Sequence, residues 1–212
     1  MLRYRIVPVT AFQQNCSLVW CDETMRGAFV DPGGDVERLF AAASGEGVTI
    51  EKVLLTHAHI DHAGFAHDVA AHYGVPIIGP HTGDKFWIDG MARQGQMFGL
   101  AGARSFVPAQ WLNDGDTVTV GNVTLAVRHC PGHTPGHVVF HDASTKRAFV
   151  GDVLFNGSIG RTDFPGGNHA TLIASITERL WPMGDDTVFI PGHGPESTFG
   201  AERRTNPYVG GT

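Results

Sequence analysis

Val53-Leu54-Leu55-Thr56-His57-Ala58-His59-Ile60-Asp61-His62 runs from an apolar stretch straight into three histidines and an aspartate. In extended backbone side chains alternate, so positions 57, 59 and 61 point to one side. A turn after Ile60 then swings His62 towards the same point. Neutral imidazoles and a carboxylate that converge at a strand end are transition-metal ligands. They are also more donors than one tetrahedral ion needs, which points to two ions. A histidine-rich surface loop is the plain alternative, and it gives no reason for the matching segments further along.

Three segments repeat the design of apolar strand, tight turn and ligand-type residue. Leu125-Ala126-Val127-Arg128-His129-Cys130 leads into Pro131-Gly132-His133, Ala148-Phe149-Val150 into Gly151-Asp152, and Val188-Phe189-Ile190 into Pro191-Gly192-His193. Proline stops the ladder, glycine accepts a backbone twist that other residues resist, and the histidine is left at the strand end. The candidate ligands are therefore His57, His59, Asp61, His62, His133, Asp152 and His193. They divide into two sites that share one bridging carboxylate. Cysteines usually close structural zinc sites, whereas a His/Asp set leaves positions for water and substrate, so the site reads as catalytic.

With 212 residues and 42% hydrophobic content, one large domain with a substantial core is expected. A formal charge of −6 gives no basic footprint for nucleic acid. No apolar run approaches the length of a membrane span, and Met1 to Pro8 reads as a strand rather than a signal peptide. Cys16, Cys21 and Cys130 are an odd number at no zinc-ribbon spacing, which fits free thiols in a reducing compartment and a cytosolic location. Cys130 has no neighbour to lower its pKa, which argues against a nucleophilic role.

Twenty-eight glycines and twelve prolines punctuate short apolar runs. Strands are expected at 3–10, 15–20, 27–30, 52–55, 117–120, 123–129, 138–141, 147–150 and 187–190. Helices are expected at 35–44, 61–73, 168–180 and 198–205. Their order suggests two sheets packed face to face with helices outside. Residues 83–110, with Met91, Met97 and Phe98 among glycines, read as a flexible flap or an irregular loop over the core. Asp31 either orients a ligand imidazole or is a plain turn aspartate. His137 either supports His133 or is a packed strand histidine.

The His-x-His-x-Asp-His loop resembles the signature of the metallo-β-lactamase superfamily. The segments Pro131-Gly132-His133-Thr134-Pro135-Gly136-His137, Gly151-Asp152-Val153-Leu154-Phe155, Gly160-Arg161 and Pro191-Gly192-His193-Gly194-Pro195 resemble the glyoxalase II-like hydrolases, especially their small single-domain bacterial members. The resemblance covers nearly the whole chain. It implies an α+β fold, a four-layer αββα sandwich of two mixed sheets with helices outside, over residues 1–212. It implies that His57, His59 and His133 hold one divalent ion, that Asp61, His62 and His193 hold another, and that Asp152 bridges. Zinc is the metal expected, with iron or manganese as alternatives. The implied reaction is hydrolysis of a small-molecule thioester of the S-lactoylglutathione type, by attack of a bridging hydroxide on its carbonyl. Asp61 and Asp152 are the catalytic carboxylates, and Arg161 matches a basic residue facing the substrate's carboxylate end. The helical C-terminal domain that grips glutathione in typical family members has no counterpart after His193. Gly160-Arg161-Thr162-Asp163-Phe164 also resembles the persulfide dioxygenases, which would use His57, His133 and Asp152 on a single Fe(II).

Overall fold

The computed structural model describes residues 1–211. The first sheet holds β1 (Leu2–Val9), β2 (Gln14–Cys21), β3 (Arg26–Val30), β4 (Thr49–Leu54) and β5 (Ile77–Ile78) in that order. Its first three strands are antiparallel neighbours, and β4 and β5 join in parallel. The second sheet is built from β6 (Thr117–Val120), β7 (Val123–His129), β8 (Val138–Asp142) and β9 (Arg147–Gly151). A two-stranded ribbon follows, β10 (Leu154–Phe155) with β11 (Ser158–Ile159). Then β12 (Val188–Pro191) and β13 (Ser197–Thr198) complete the second sheet, in the order β13-β12-β9-β8-β7-β6. Only β12 pairs in parallel there, with β9.

Alternation sorts each strand's residues between two layers of core. In β2, Cys16 and Leu18 face the first helical layer, while Val19 and Cys21 face the other sheet. In β9, Phe149 joins the space between the sheets, and Ala148 and Val150 pack outwards. Strands buried on both faces read as near-continuous apolar runs, which is why they are visible in the sequence. Outside the first sheet lie α1 (Val36–Glu46), α2 (Ile60–Ala63), α3 (Ala66–Tyr73), α4 (Lys85–Asp89) and α5 (Met91–Phe98). Outside the second lie α6 (His169–Ser175) and α7 (Phe199–Thr205). The expected four-layer αββα sandwich of two mixed sheets is the fold.

Three expectations need correction. The helix expected at 61–73 is two helices, because the Phe65 amide donates to the Pro32 carbonyl at 3.3 Å instead of continuing the helical ladder. The helix expected at 168–180 starts at its predicted cap, where Asn168 Oδ1 accepts the Thr171 amide, but passes into a π-helical stretch at Ile176–Leu180. Residues 83–110 carry α4 and α5, with Met91 fully buried and Met97 and Phe98 exposed. No described helix is long and apolar enough to cross a membrane.

Candidate metal centre

The site forms where strand ends of both sheets meet at one edge. Asp31 directly follows β3, and its backbone is left-handed at φ 56°, a conformation that aspartate tolerates better than most residues. Its carboxylate accepts the Thr56 amide at 2.7 Å and the Thr56 hydroxyl at 2.6 Å, tying the end of β3 to the end of β4. It also meets His62 Nδ1 at 2.9 Å. Asp31 therefore orients an imidazole, the first of its two sequence readings.

The turn after β4 comes one residue earlier than strand alternation suggests. Helix α2 already begins at Ile60, so Asp61 turns with His62 rather than extending the row of His57 and His59. Three donor groups result among the described residues: one, Asp31 with His57 and His62, includes the carboxylate that orients His62, and the other two consist of candidate ligands alone. The nitrogens of His57, His59 and His133 lie within 4.8 Å of one another, and donor atoms of Asp61, His62 and His193 do likewise. Asp152 lies between the groups: its Oδ1 is 3.3 Å from His62 Nε2, and its Oδ2 is 3.6 Å from His133 Nε2 and 3.7 Å from His193 Nε2. Thus all seven candidate ligands come together, from segments up to 136 positions apart (193 − 57).

The far side of most rings is engaged. Nδ1 of His133 meets the Arg161 carbonyl at 2.7 Å, Nδ1 of His193 the Phe12 carbonyl at 3.2 Å, and Nδ1 of His57 the Thr56 hydroxyl at 3.0 Å. Such partners set tautomer and ring angle, leaving the other nitrogen free for a metal. Burial makes the need for a cation concrete. His57 Nε2, His59 Nε2, His62 Nε2 and Asp152 Oδ1 are buried without a hydrogen-bond partner. Unpaired buried polar atoms are costly, and those of His57, His62 and Asp152 fit a bound cation, while His59 turns its other nitrogen, Nδ1, to within 2.9 Å of His133 Nε2. The all-N/O donor set suits divalent transition metals, and its two groups with a carboxylate between them describe a binuclear site.

Electrostatics separates the two groups. Burial, with the neighbouring imidazoles, holds His57 well below the ordinary imidazole pKa and takes His59 down to about 3. Burial also opposes charge on His62, but Asp152 and Asp61 outweigh it and hold its pKa well above the ordinary value. At His193 burial is likewise outweighed, by Asp61 and Asp152. An ion entering the Asp61/His62/His193 group must displace protons, whereas the three-histidine group is already neutral. Uptake of the second ion is therefore expected to fall more steeply than the first between about pH 8 and about pH 6. Metal-to-protein ratios at equilibrium across that range check it, and equal pH slopes for the two ions would contradict it.

One glycine acts differently from its sequence reading. Gly192 was expected to supply backbone twist, but its role is space: a Cβ there would lie 2.1 Å from Asp152 Oδ1 and 2.5 Å from His62 Cε1. Gly132, at φ 134°, does fit the twist argument. His137 is packed face to face on His57, with ring centroids 4.5 Å apart, and accepts the Asp152 amide at 3.1 Å. It is at once a packed histidine and a support for two ligands. Cys130 is fully buried, and burial pushes its thiol up to about 12, which removes it as a nucleophile.

Asp84 escaped the sequence reading. It is fully buried and accepts the Ala58 amide at 2.9 Å, the Thr134 hydroxyl at 2.9 Å and the Gly136 amide at 2.6 Å. Burial pushes its pKa up to about 6 against those three donated bonds. The carboxylate staples the loop of His57 and His59 to the loop of His133. Asp84→Ala leaves three buried donors unpaired, each worth about 1–3 kcal/mol of lost solvation. The metal-free variant is expected to unfold at clearly lower urea, and an unchanged midpoint would refute the staple. No ligand-type pattern around Thr82-Gly83-Asp84 signals this role. Its traces are two glycines at the close approach: a Cβ at Gly136 would lie 2.6 Å from Asp84 Cγ, and one at Gly83 would lie 2.8 Å from the Pro135 carbonyl oxygen.

Above the donors opens a cleft of about 540 Å³. Arg161 lies on its wall, and its guanidinium forms a two-pronged ion pair with Asp163, at 2.7 and 2.6 Å, over the Phe164 ring.

Known proteins resemble the chain over nearly its whole length. The chain is 46% identical over 209 residues, 98% of each sequence, to the hydroxyacylglutathione hydrolase GloC of Haemophilus influenzae. Among solved structures it resembles BLEG-1, described as a B3 metallo-beta-lactamase, with TM-score 0.89, 34% identity and complete coverage of both chains. TTHA1623 in a di-iron-bound form gives TM-score 0.88 and 36% identity, over 97% of this chain and all of the other. ETHE1 from Myxococcus xanthus gives 0.83 and 25%, over 99% and 85%. The sequence also matches the metallo-beta-lactamase superfamily profile over residues 9–193, from the last residue of β1 to the last histidine of the cluster, and the chain belongs to that superfamily.

Proposed function

We propose that this protein is a binuclear metal-dependent hydrolase of small-molecule thioesters, with S-lactoylglutathione as the type substrate. His57, His59 and His133 would hold one ion and Asp61, His62 and His193 the other, with Asp152 placed between the two groups to serve both. The observation that carries this reading is the convergence of six N/O donors in two groups with Asp152 between them, His57 Nε2, His62 Nε2 and Asp152 Oδ1 being buried and unpaired. Zinc suits the set, and iron and manganese take the same ligands. Ions bound there lower the pKa of a water towards neutrality and polarise a carbonyl oxygen.

The chain's own residues do the rest. Asp61, 3.1 Å from His193 Nε2, and Asp152 are the carboxylates that line the cleft where the reacting carbonyl would sit. Asp31, Thr56 and the carbonyls of Phe12 and Arg161 hold the imidazoles in place. A thiol has a pKa of about 8.5, so a thiolate leaves without help from an acid. No nucleophilic side chain is needed, in keeping with the buried Cys130. Three buried free cysteines suit a reducing compartment, which supports a cytosolic location.

The iron dioxygenase reading, supported by the likeness to ETHE1, uses only His57, His133 and Asp152. It leaves Asp61, His62 and His193 meeting as a second group without a purpose. Metal analysis of the purified protein together with S-lactoylglutathione hydrolysis tests the proposal. Two ions per chain and thioester cleavage are expected. Oxygen uptake driven by glutathione persulfide, with no thioester cleaved, would replace the hydrolase reading with the dioxygenase.

A further inference from the structure

The cleft has a polar floor and aromatic walls. On the side of His59, Trp87 and Phe164 stand edge-on to its ring, with centroids 4.7 and 5.0 Å away. On the side of His193, Phe155 lies 6.2 Å from that ring, and Phe12 and Phe98 meet edge to face at 6.3 Å. Phe12 is 40% exposed and Phe98 45%. Two aromatic rings in contact at the mouth of a polar site, each still two-fifths or more exposed, leave apolar surface facing the cleft, and such surface marks binding sites. Their position is set by the donor cluster itself, since the Phe12 carbonyl is the partner of His193 Nδ1. On the other side Gln94, in the same helix as Phe98, is anchored by donating to the Trp87 carbonyl at 2.8 Å.

Charge on the walls is scarce. Among the described residues lining the cleft, Arg161 is the one lysine or arginine, and a substrate carboxylate must compete with Asp163 for it. Glutathione carries two carboxylates, and these walls offer them one shared cation. What they offer in quantity is aromatic surface.

We infer that Phe12 and Phe98, backed by Phe155, form a subsite for an apolar arm of the substrate. The preferred substrates are thioesters that carry an aliphatic or aryl group there, ahead of glutathione thioesters with a small polar acyl group. This rests on the thioesterase reading and names the substrate class within it. Apolar transfer is worth about 0.8 kcal/mol per buried methylene, or roughly fourfold in binding.

The test uses metal-loaded full-length protein and two uncharged thioester series. One varies the acyl group from acetyl through butanoyl and hexanoyl to phenylacetyl on a fixed small thiol. The other varies the thiol from ethyl to hexyl and benzyl on a fixed acetyl group. In one of the two series kcat/KM is expected to rise about fourfold per methylene until the subsite is full. The slope should flatten in the double variant Phe12→Ser, Phe98→Ser, whatever its overall rate. Each ring is about half buried, so the thermal midpoint of the variant is measured beside its rates, and the slope is read on protein that is folded at the assay temperature. A parallel titration follows binding of uncleavable ketone analogues of both series by tryptophan fluorescence. If no thioester is cleaved while the longer ketones bind progressively tighter in the wild type alone, the thioesterase reading fails and the apolar subsite stands. Flat slopes in both thioester series and in the ketone titration overturn the subsite, as does a slope that survives in the variant.

Discussion

Asp152→Ala is expected to release both metal ions and to abolish activity, whereas Asp61→Ala should release chiefly one. The asymmetry follows from position. Asp152 reaches His133 of the first group at 3.6 Å and His62 and His193 of the second at 3.3 and 3.7 Å. Asp61 approaches only members of its own group, His193 at 3.1 Å and His62 at 3.8 Å. Burial works against an ionised Asp152, but the neighbouring His62 dominates and holds its carboxyl far below the ordinary carboxylate range. It is thus an anion ready to hold cations at neutral pH. Loss of a residue that merely supports a ligand typically costs about 10–100-fold in metal affinity or activity, and loss of the bridge should exceed that. Metal-to-protein ratios and thioester rates for the two variants decide the matter. Equal and mild losses from both would show that Asp152 does not bridge.

Gly33→Ala is expected to give the largest effect of any single added methyl group. A Cβ at Gly33 would lie 1.5 Å from the carbonyl oxygen of Asp61 and 2.3 Å from its carbon. Both are backbone atoms, so no rotamer change relieves the clash. Either the turn that carries Asp31 moves or helix α2 moves, and each motion breaks the contact of Asp31 with His62. Destabilisation at or above the roughly 1–3 kcal/mol of an overpacked core is expected, with loss of the second ion. Denaturant midpoints of the metal-free protein and metal content of the loaded protein measure the two consequences. A variant with an unchanged midpoint and two ions would show that this close approach is not needed.

The donors were legible because each sits at a strand end, where local rules apply. Apolar runs buried on both faces show as strands, and a following Pro-Gly or Gly-Asp shows as a turn. The longer strands therefore lie within a few residues of their expected bounds, with 117–120 and 123–129 matching outright. The two-residue strands β5, β10, β11 and β13 carry no period and were not visible. Phe65 shows how a local pattern fails: the spacing of Phe65, Val69 and Tyr73 suits one helix, but the distant Pro32 carbonyl takes the amide.

Residue types and their spacing thus determined the layered fold and the seven donors, because alternation and turn chemistry act over a few neighbouring residues. The resemblance implied how the donors divide, but only the tertiary structure brings them together, since His133 and His193 follow strands of the second sheet and meet the His57–His62 loop of the first where the two sheets pack face to face. Only it showed Asp84 stapling two ligand loops, Asp31 reaching His62, and Gly192 giving way to Asp152. The aromatic walls belong with these. Phe12, Trp87, Phe98, Phe155 and Phe164 come from five separate turns, helices and short strands. A binding surface assembled from side chains so far apart has no period to read, because its geometry resides in how the layers pack.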